Sequence, residues 1–215
     1  MNSRPLLKKE LLTTIASLAK SRQINPDYPI TDTLLFPYET EKIEKLTVNL
    51  EKQNPFPKPL LYGSNLLDGI WQLHYSTARE IRSLNKLPFN FSLQAVYQII
   101  DVANTSFFNI AFVEHSLNLL RGYVKVTATF APKKDGENPL PDSTINVFFD
   151  KRYISIEQIL SIKTPMLDPV KVFDAQPPKD RVPNLEITYI DEDMRIGRGG
   201  DGSLFILTKT DKLLR

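Results

Sequence analysis

The residues best suited to chemistry lie in segment 187–207, where Arg195 and Arg198 precede a Gly-rich turn between two apolar, β-rich runs. Far upstream, Trp71 is the only tryptophan and stands where the β-rich part of the chain begins. A guanidinium over the indole face would form a cation–π contact worth roughly 0.5–2 kcal/mol. Residues three apart in a strand face opposite sides, so the two arginines cannot share this role. The sequence leaves open which one contacts the indole, and a structural role is favoured for both.

Motifs for metal or phosphate binding are incomplete. Asp191 and Asp193 resemble the start of a calcium loop, but residues 194–196 lack the further oxygen ligands and the glycine of such a loop. A charged hairpin turn is therefore the favoured interpretation. Gly199 and Gly202 bound a Gly-rich turn that lacks the Lys-Ser/Thr pair and the following helix of a phosphate loop. We expect neither a metal nor a cofactor.

Evidence for catalysis in the sequence is weak. The chain has no cysteine, which excludes thiolate catalysis, disulfides and zinc sites built on Cys, and which fits a reducing compartment. A minor hypothesis is an isomerase of a lipophilic substrate that uses His74, Asp101 or Glu114. It requires one of these side chains to point into a cavity beside another titratable group.

Length and charge narrow the class of protein. The 215 residues favour one domain with an appendage, and the 41% apolar fraction is enough for a sizeable core. The net charge of +2 indicates no nucleic-acid partner. No stretch approaches the roughly 18 apolar residues of a spanning helix, and residues 1–5 run directly into a helical pattern. We expect a soluble chain that is not visibly exported.

Two helices and a linker precede the β-rich region. Helical spacing places Leu7, Leu11, Ile15 and Leu18 on one stripe, and residues 39–53 form a second amphipathic run. The proline-rich segment 54–59 ends that run and is a stiff linker. We therefore predict a helical cap with its linker at residues 1–59 and a β-domain at residues 60–215.

The β-domain contains about nine candidate strands in meander order. After the strand of Trp71 these are residues 93–102, 105–113, 122–131, 144–150, 153–159, 185–190, 194–198 and 204–208. Short hairpin links at 103–104, 151–152, 191–193 and 199–202 connect several of them. Because closure removes exposed strand edges, the prediction is a mainly β protein, an up-and-down antiparallel β-barrel with N-terminal α-helices. A two-sheet sandwich is the alternative.

Some strands are apolar on both faces. In residues 105–113, Phe107 and Ala111 lie on one side while Phe108 and Phe112 lie on the other. A barrel of about eight strands either fills its interior or holds one small ligand. The outer apolar face then needs a cover, which the N-terminal helices can supply. The pattern leaves an apolar ligand cavity and a filled core equally open.

Two segments resemble a known family. Leu66-Leu-Asp-Gly-Ile-Trp-Gln-Leu-His-Tyr-Ser-Thr77 is similar to its strand opener, and residues 187–207 are similar to its C-terminal motif. The family is that of the plastid lipid-associated proteins, also called plastid fibrillins. The matching positions are Gly69, Trp71, Tyr189, Asp191, Asp193, Arg195, Arg198, Gly199 and Gly202.

The resemblance implies a lipocalin-like barrel preceded by helices and a role in binding carotenoids, prenylquinones or fatty acids. It also implies peripheral contact with thylakoids or lipid droplets. Plant members of the family carry a transit peptide, and no such pattern is recognised in this sequence. The expected location is therefore the cytoplasmic side of the thylakoid in a cyanobacterium, or a plastid for a mature eukaryotic form.

We therefore predict a non-enzymatic protein that binds, stores or transports small lipophilic molecules. Aromatic candidates for the cavity wall are Trp71, Tyr75, Tyr97, Phe107, Phe112, Tyr123, Phe149, Tyr189 and Phe205. The alternative is an interaction protein whose filled barrel docks on a membrane or on a prenyl-lipid biosynthetic enzyme.

Overall fold

The computed structural model describes residues 3–84, 87, 90–134, 142–175 and 181–213. The helices are α1 (Arg4–Ser21), α2 (Pro37–Glu51), α3 (Pro59–Tyr62), α4 (Ser64–Leu67) and α5 (Arg79–Leu84), with 3-10 turns at Asp32–Leu34 and Pro165–Leu167. The strands are β1 (Ile30–Thr31), β2 (Gly69–Ser76), β3 (Phe91–Asp101), β4 (Ser106–His115), β5 (Leu120–Pro132), β6 (Thr144–Ile159), β7 (Ile162–Lys163), β8 (Lys171–Asp174), β9 (Asn184–Ile190), β10 (Met194–Gly199) and β11 (Leu204–Thr210).

Eight of these strands form a closed antiparallel barrel. The order around the barrel is β2-β11-β10-β9-β6-β5-β4-β3. The barrel closes where Gly69–Gln72 of β2 pair with Tyr97–Ile100 of β3. The short strand β1 lies outside this ring and pairs in parallel with the end of β2. The predicted up-and-down barrel is thus confirmed, and the sandwich alternative was wrong.

Strand β6 is longer than predicted. The sequence suggested two strands, 144–150 and 153–159, joined by a turn at 151–152, whereas β6 runs unbroken through these residues. The pairing with β5 shifts register there, with Val126 opposite Arg152 and Ala128 opposite Phe149. The Lys151 N–H donates to the Thr127 hydroxyl at 3.2 Å. The polar residues at this point therefore form a β-bulge, which bends a strand without ending it, and the turn prediction was wrong.

The wall of the barrel is only partly hydrogen-bonded between β6 and β9. The two strands pair only through Thr144–Asn146 and Asn184–Glu186. Farther along, β6 pairs with β8 and then with β7. Residues 165–174 run beside β6 through a 3-10 turn and β8, but the apolar side chains of Met166, Val170, Val172 and Phe173 in this segment are exposed. Residues 135–141, between β5 and β6, lie outside the described residues.

Helices α1 and α2 cover the outer face of β2, β9, β10 and β11. Both helices begin with a proline in the first turn, where its missing N–H costs nothing. Their buried residues pack with outward-facing strand residues in one cluster, which comprises Leu11, Ile15, Ala19, Ile30, Ile43, Leu46, Leu50, Tyr75, Tyr189, Met194, Ile196, Leu204 and Ile206. The expected cover by N-terminal helices is thus present. Within the described part of the chain, no helix has the length and apolar character needed to cross a bilayer.

Candidate functional site

Trp71 closes the base of the barrel. Its side chain is fully buried, and its indole N–H donates to the Leu67 carbonyl of α4 at 2.8 Å. The Lys209 ammonium lies 5.3 Å from the indole ring centroid and donates to the Leu66 carbonyl. A second apolar cluster of Leu67, Ile187 and Ile190 packs near this end. Strand β2 and helix α4 before it thus hold the indole across the base of the barrel.

A β-bulge in β2 changes the direction of the side chains. Leu73 pairs with Leu207 and Tyr75 pairs with Ile206, so the pairing skips His74. Leu73 therefore belongs to the cluster inside the barrel, whereas Tyr75 belongs to the cluster under the helices. Because of this bulge, Trp71 and Leu73 face the interior of the barrel whereas Tyr75 faces outward, so the three side chains do not share one face.

Above Trp71 the barrel encloses a cavity of about 290 Å³. Its apolar walls are Leu73, Val96, Phe107, Val147, Leu185, Phe205 and Leu207, and the Leu185 side chain packs over Gly197, which also lines the cavity. Small-molecule sites commonly have volumes of about 300–1,000 Å³, so this cavity is at the lower limit. The interior is filled at its base and open above it.

The mouth of the cavity lies between α5, the start of β9 and the β10–β11 hairpin. Glu80 and Ile81 of α5 border it on one side. On the other side Arg181 and Asp201 approach within 3.6 Å. Helix α5 is fixed by Arg82, whose guanidinium makes two hydrogen bonds of 2.6 and 2.7 Å with the Asp32 carboxylate. This end of the barrel is therefore polar at its rim and apolar just inside.

A polar cluster of Arg195, Gln98 and Asn109 interrupts the apolar wall. Arg195 is only 3% exposed and donates through Nη2 to the side-chain oxygen Oε1 of Gln98, while Gln98 Nε2 donates to Oδ1 of Asn109 at 2.9 Å. The Arg195 Nε is buried and has no hydrogen-bond partner in the described part of the chain. Burial lowers the pKa of Arg195 to about 9, so the side chain remains cationic at neutral pH. No acidic side chain of the described ranges forms an ion pair with it.

Arg195 is also the arginine that contacts the indole. Its guanidinium carbon lies 5.1 Å from the Trp71 ring centroid. Arg198 points to the other side of β10 and binds Glu51 and Glu44 of α2, with N–O distances from 2.7 to 3.0 Å. These carboxylates raise the pKa of Arg198. The first arginine therefore belongs to the interior, and the second ties α2 to the barrel.

The remaining motif residues build turns. The Asp191 carboxylate accepts the backbone N–H groups of Met194 and Asp193 at 2.9 and 3.2 Å, so it closes the β9–β10 hairpin. Lys8 of α1 binds both Asp191 and Asp193. Gly202 has a φ of +83°, a conformation that favours glycine in the β10–β11 turn.

The glycine of the opener has the same kind of role. Gly69 has a φ of +114° at the start of β2, and a Cβ there would lie 3.1 Å from Lys209 Cε. At the end of β10, a Cβ on Gly199 would lie 2.4 Å from the Ser203 hydroxyl. Side chains are therefore excluded at both positions by conformation or by space.

The structure divides the aromatic residues proposed for the cavity wall. Phe107 and Phe205 line the cavity, Phe149 packs in the interior cluster and Trp71 lies at its base. The others lie in outer clusters: Tyr75 and Tyr189 under the helices, and Tyr97, Phe112 and Tyr123 on the outer face of β3–β5.

Tyr97 borders the cavity as well, although its ring packs against Phe112 at 6.1 Å. The outward direction of Tyr75 follows from the bulge at His74, and that of Phe112 follows from pairing with Ala95 and Tyr123 of the same outer row. Tyr189 donates to the Asp191 carboxylate, and burial raises its pKa. We therefore do not propose these outer residues as ligand contacts.

The sequence patterns did not identify Gln98 and Asn109 as residues of the candidate site. Each is a lone amide in a run that is otherwise apolar, Ala95-Val-Tyr-Gln-Ile-Ile100 and Phe107-Phe-Asn-Ile-Ala-Phe112. They are cross-strand partners in the β3–β4 register. An amide on each of two adjacent apolar strands is the signal that could have identified the polar cluster.

The three residues proposed for isomerase chemistry do not line the cavity. His74 hydrogen-bonds to Thr208 at 2.7 Å, and burial lowers its pKa. Asp101 binds Asn104 in the β3–β4 turn, and Glu114 pairs with Arg121 at 2.8 Å. Each has a structural partner outside the cavity, so the geometry required by that hypothesis is not found.

The PAP_fibrillin family model matches residues 7–208. The chain is 30% identical over 213 residues to the probable plastid-lipid-associated protein 5 of Arabidopsis thaliana, with 99% of this chain and 73% of that protein aligned. It is 30% identical over 194 residues to a chromoplast-specific carotenoid-associated protein of Cucumis sativus, with 78% and 60% aligned. For plastoglobulin-1 of Pisum sativum the identity is 28% over 198 residues, with 78% and 54% aligned. With its barrel, its base tryptophan and its C-terminal motif in place, the chain belongs to the PAP_fibrillin family of plastid-lipid-associated proteins.

Proposed function

We propose that this protein binds small lipophilic molecules in the barrel cavity and holds them without chemical conversion. The observation that supports this is the apolar cavity of about 290 Å³ that opens at one end of the barrel. Transfer of apolar surface from water into such a site contributes about 25 cal/mol per Å². Relatives named for lipid, carotenoid and plastoglobule association support the same class of ligand.

The cavity volume limits how much of a ligand is enclosed. At about 30 Å³ for each water-sized group, 290 Å³ holds on the order of ten non-hydrogen atoms. A carotenoid or a long prenyl tail is larger than this. We therefore propose that the barrel holds one end of a carotenoid, prenylquinone or fatty acid while the rest of the chain extends through the mouth.

Exposed apolar side chains support contact with a lipid surface. Leu117 and Ile162 are 70% and 69% exposed, and Leu160 and Met166 are exposed as well. The Leu160 N–H donates to the Leu119 carbonyl, which brings the two turns together. In this antiparallel order β4 and β6 run in the same direction as β10, so these turns and the mouth lie at the same end of the barrel. We propose that this end contacts a plastid or thylakoid membrane or a lipid droplet peripherally.

A cavity-filling variant tests the binding proposal. Val147 lines the cavity, so Val147→Phe should reduce the affinity for a fluorescent polyene or fatty-acid probe by at least about tenfold. Val172→Phe makes the same change on the exposed strand β8 and should leave the affinity unchanged. Equal binding by both variants and by the original protein would show that the cavity is not the site. Organic extraction of protein purified from its native host would identify the lipid carried.

A further inference from the structure

Arg195 is an unusual residue to find in a lipophilic cavity. Buried charges in proteins are generally paired, because removing an ion from water costs several kcal/mol after relaxation. Among the residues that the structure describes, the contacts of Arg195 are a neutral amide and an indole face, and its Nε has no hydrogen-bond partner. Neither neighbour carries a negative charge. The base of the cavity thus holds a cation whose compensation is incomplete.

The surroundings of Arg195 restrict which chemical group of a ligand could balance its positive charge. Gln98 is oriented by its own hydrogen bond to Asn109, so its oxygen stays directed at the guanidinium. Both amides line the cavity together with Arg195. A carboxylate brings one negative charge and two acceptor oxygens, and it can accept from Nε without displacing Gln98. A phosphate monoester brings about −1.5 to −2 charges, which one guanidinium does not balance.

The apolar wall leads from this cluster to the mouth. Leu73, Phe107 and Leu207 lie along the interior, and Phe205 lines the same cavity. At the mouth, Ile81 is apolar, Arg181 already pairs with Asp201 at 3.6 Å and Glu80 adds a further negative charge, so the rim is less suited than Arg195 to an anionic head group. A charged end is therefore better accommodated at the base than at the rim.

We propose that the cavity selects single-chain lipids with a carboxylate head group and binds them head first, with the carboxylate on Arg195 and the tail directed at the mouth. This inference rests on the proposed lipid-binding function and adds the class and the orientation of the ligand. In the bound state the carboxylate accepts from the Arg195 guanidinium beside Trp71. The tail replaces water along the apolar wall.

The test compares decanoate with decanol, two chains of equal length that differ in charge. Isothermal titration calorimetry at neutral pH should show decanoate binding at least about tenfold tighter than decanol to the unmodified protein. Arg195→Gln should abolish this preference while decanol still binds, and Arg195→Lys should keep part of it. Arg198→Gln removes a guanidinium on the outer side of the same strand and should keep the full preference. Decanoate should also change the fluorescence of Trp71, the only tryptophan.

The outcomes separate the two proposals. If neither compound binds to the unmodified protein, the lipid-binding function itself fails. If both bind with equal affinity, or if Arg195→Gln keeps the preference, lipid binding stands and the carboxylate proposal is overturned. Near-ultraviolet circular dichroism shows whether each variant folds. The preference of the unmodified protein decides the question if Arg195→Gln does not fold.

Discussion

The guanidinium of Arg195 lies 5.1 Å from the ring of Trp71, and the two side chains together close the base of the barrel from β10 and β2. Both are almost completely buried. The contact links the only tryptophan to the C-terminal motif of the chain. It therefore joins the first and the last parts of the barrel, where β2 also pairs with β11.

Removing the indole should destabilise the whole barrel. We expect Trp71→Ala to lower the free energy of unfolding by about 3–5 kcal/mol, because it leaves a large void and removes the partner of a buried cation. Chemical denaturation followed by circular dichroism measures the change. Tyr62→Ala, at an exposed position of α3, is the control and should change stability by less than about 0.5 kcal/mol. If Trp71→Ala changed the free energy of unfolding only slightly, the indole would not be what closes and stabilises the base of the barrel.

Arg198 should contribute through its carboxylate partners on α2. We expect Arg198→Ala to lower the free energy of unfolding by about 1–3 kcal/mol, since hydrogen bonds between charged, partly buried groups are lost. A double-mutant cycle with Glu51→Gln isolates the pair. The two effects should be clearly less than additive. Additive effects would mean that the ion pair adds nothing to the docking of α2.

Much of the fold follows from local patterns. The helical stripes of α1 and α2 predict their buried faces, and the turns at 191–193 and 199–202 mark hairpins in the structure. These features depend on neighbours in sequence, so a single chain is enough to identify them.

Bulges could not be predicted in the same way. At His74 the register shifts in the pairing with β11, and at 150–151 it shifts in the pairing with β5. One such shift reverses the direction of Tyr75, and the other makes one strand out of two predicted ones. Both depend on hydrogen bonds between strands, which the order of residues within one strand does not determine.

Predicting the polar cluster of Arg195, Gln98 and Asn109 would require knowing how three strands are arranged in the barrel. Arg195 was considered for its contact with Trp71, but its position in the cavity depends on β3 and β4 as well as β10. Gln98 and Asn109 become meaningful only when the register places them side by side. Candidate ligand contacts chosen by aromatic type alone therefore included five residues of the outer clusters.

Contact with lipid surfaces should depend on the exposed turns near the mouth. We expect the double variant Leu160→Ser and Ile162→Ser to bind less to sedimented vesicles or emulsified oil, because it removes exposed apolar surface. Its stability should change by less than about 0.5 kcal/mol, as both side chains face solvent. Tyr62→Ser, which removes one exposed large side chain elsewhere on the surface, is the control. Equal loss in both variants would mean that the mouth end is not the contact surface.

The carboxylate of Asp191 should make stability depend on acid pH. Burial acts to raise its pKa, but hydrogen bonds from Lys8 and Tyr189 outweigh burial and leave the pKa below its usual range. A carboxyl group with a depressed folded-state pKa stabilises the protein above its unfolded pKa, near pH 4, and this contribution is lost as the pH falls through the folded-state value.

Lys8→Met tests this linkage between α1 and the β9–β10 hairpin. At pH 7 the variant should be less stable than the original protein by about 1–2 kcal/mol, because Lys8 and Asp191 are mostly buried. The difference should shrink as the pH falls below about 4, since a protonated Asp191 no longer pairs with Lys8. Lys9→Met changes the adjacent, exposed lysine and should show almost no effect at either pH. Urea unfolding at several pH values gives both curves, and a difference that stays constant with pH would rule out Asp191 as the titrating partner.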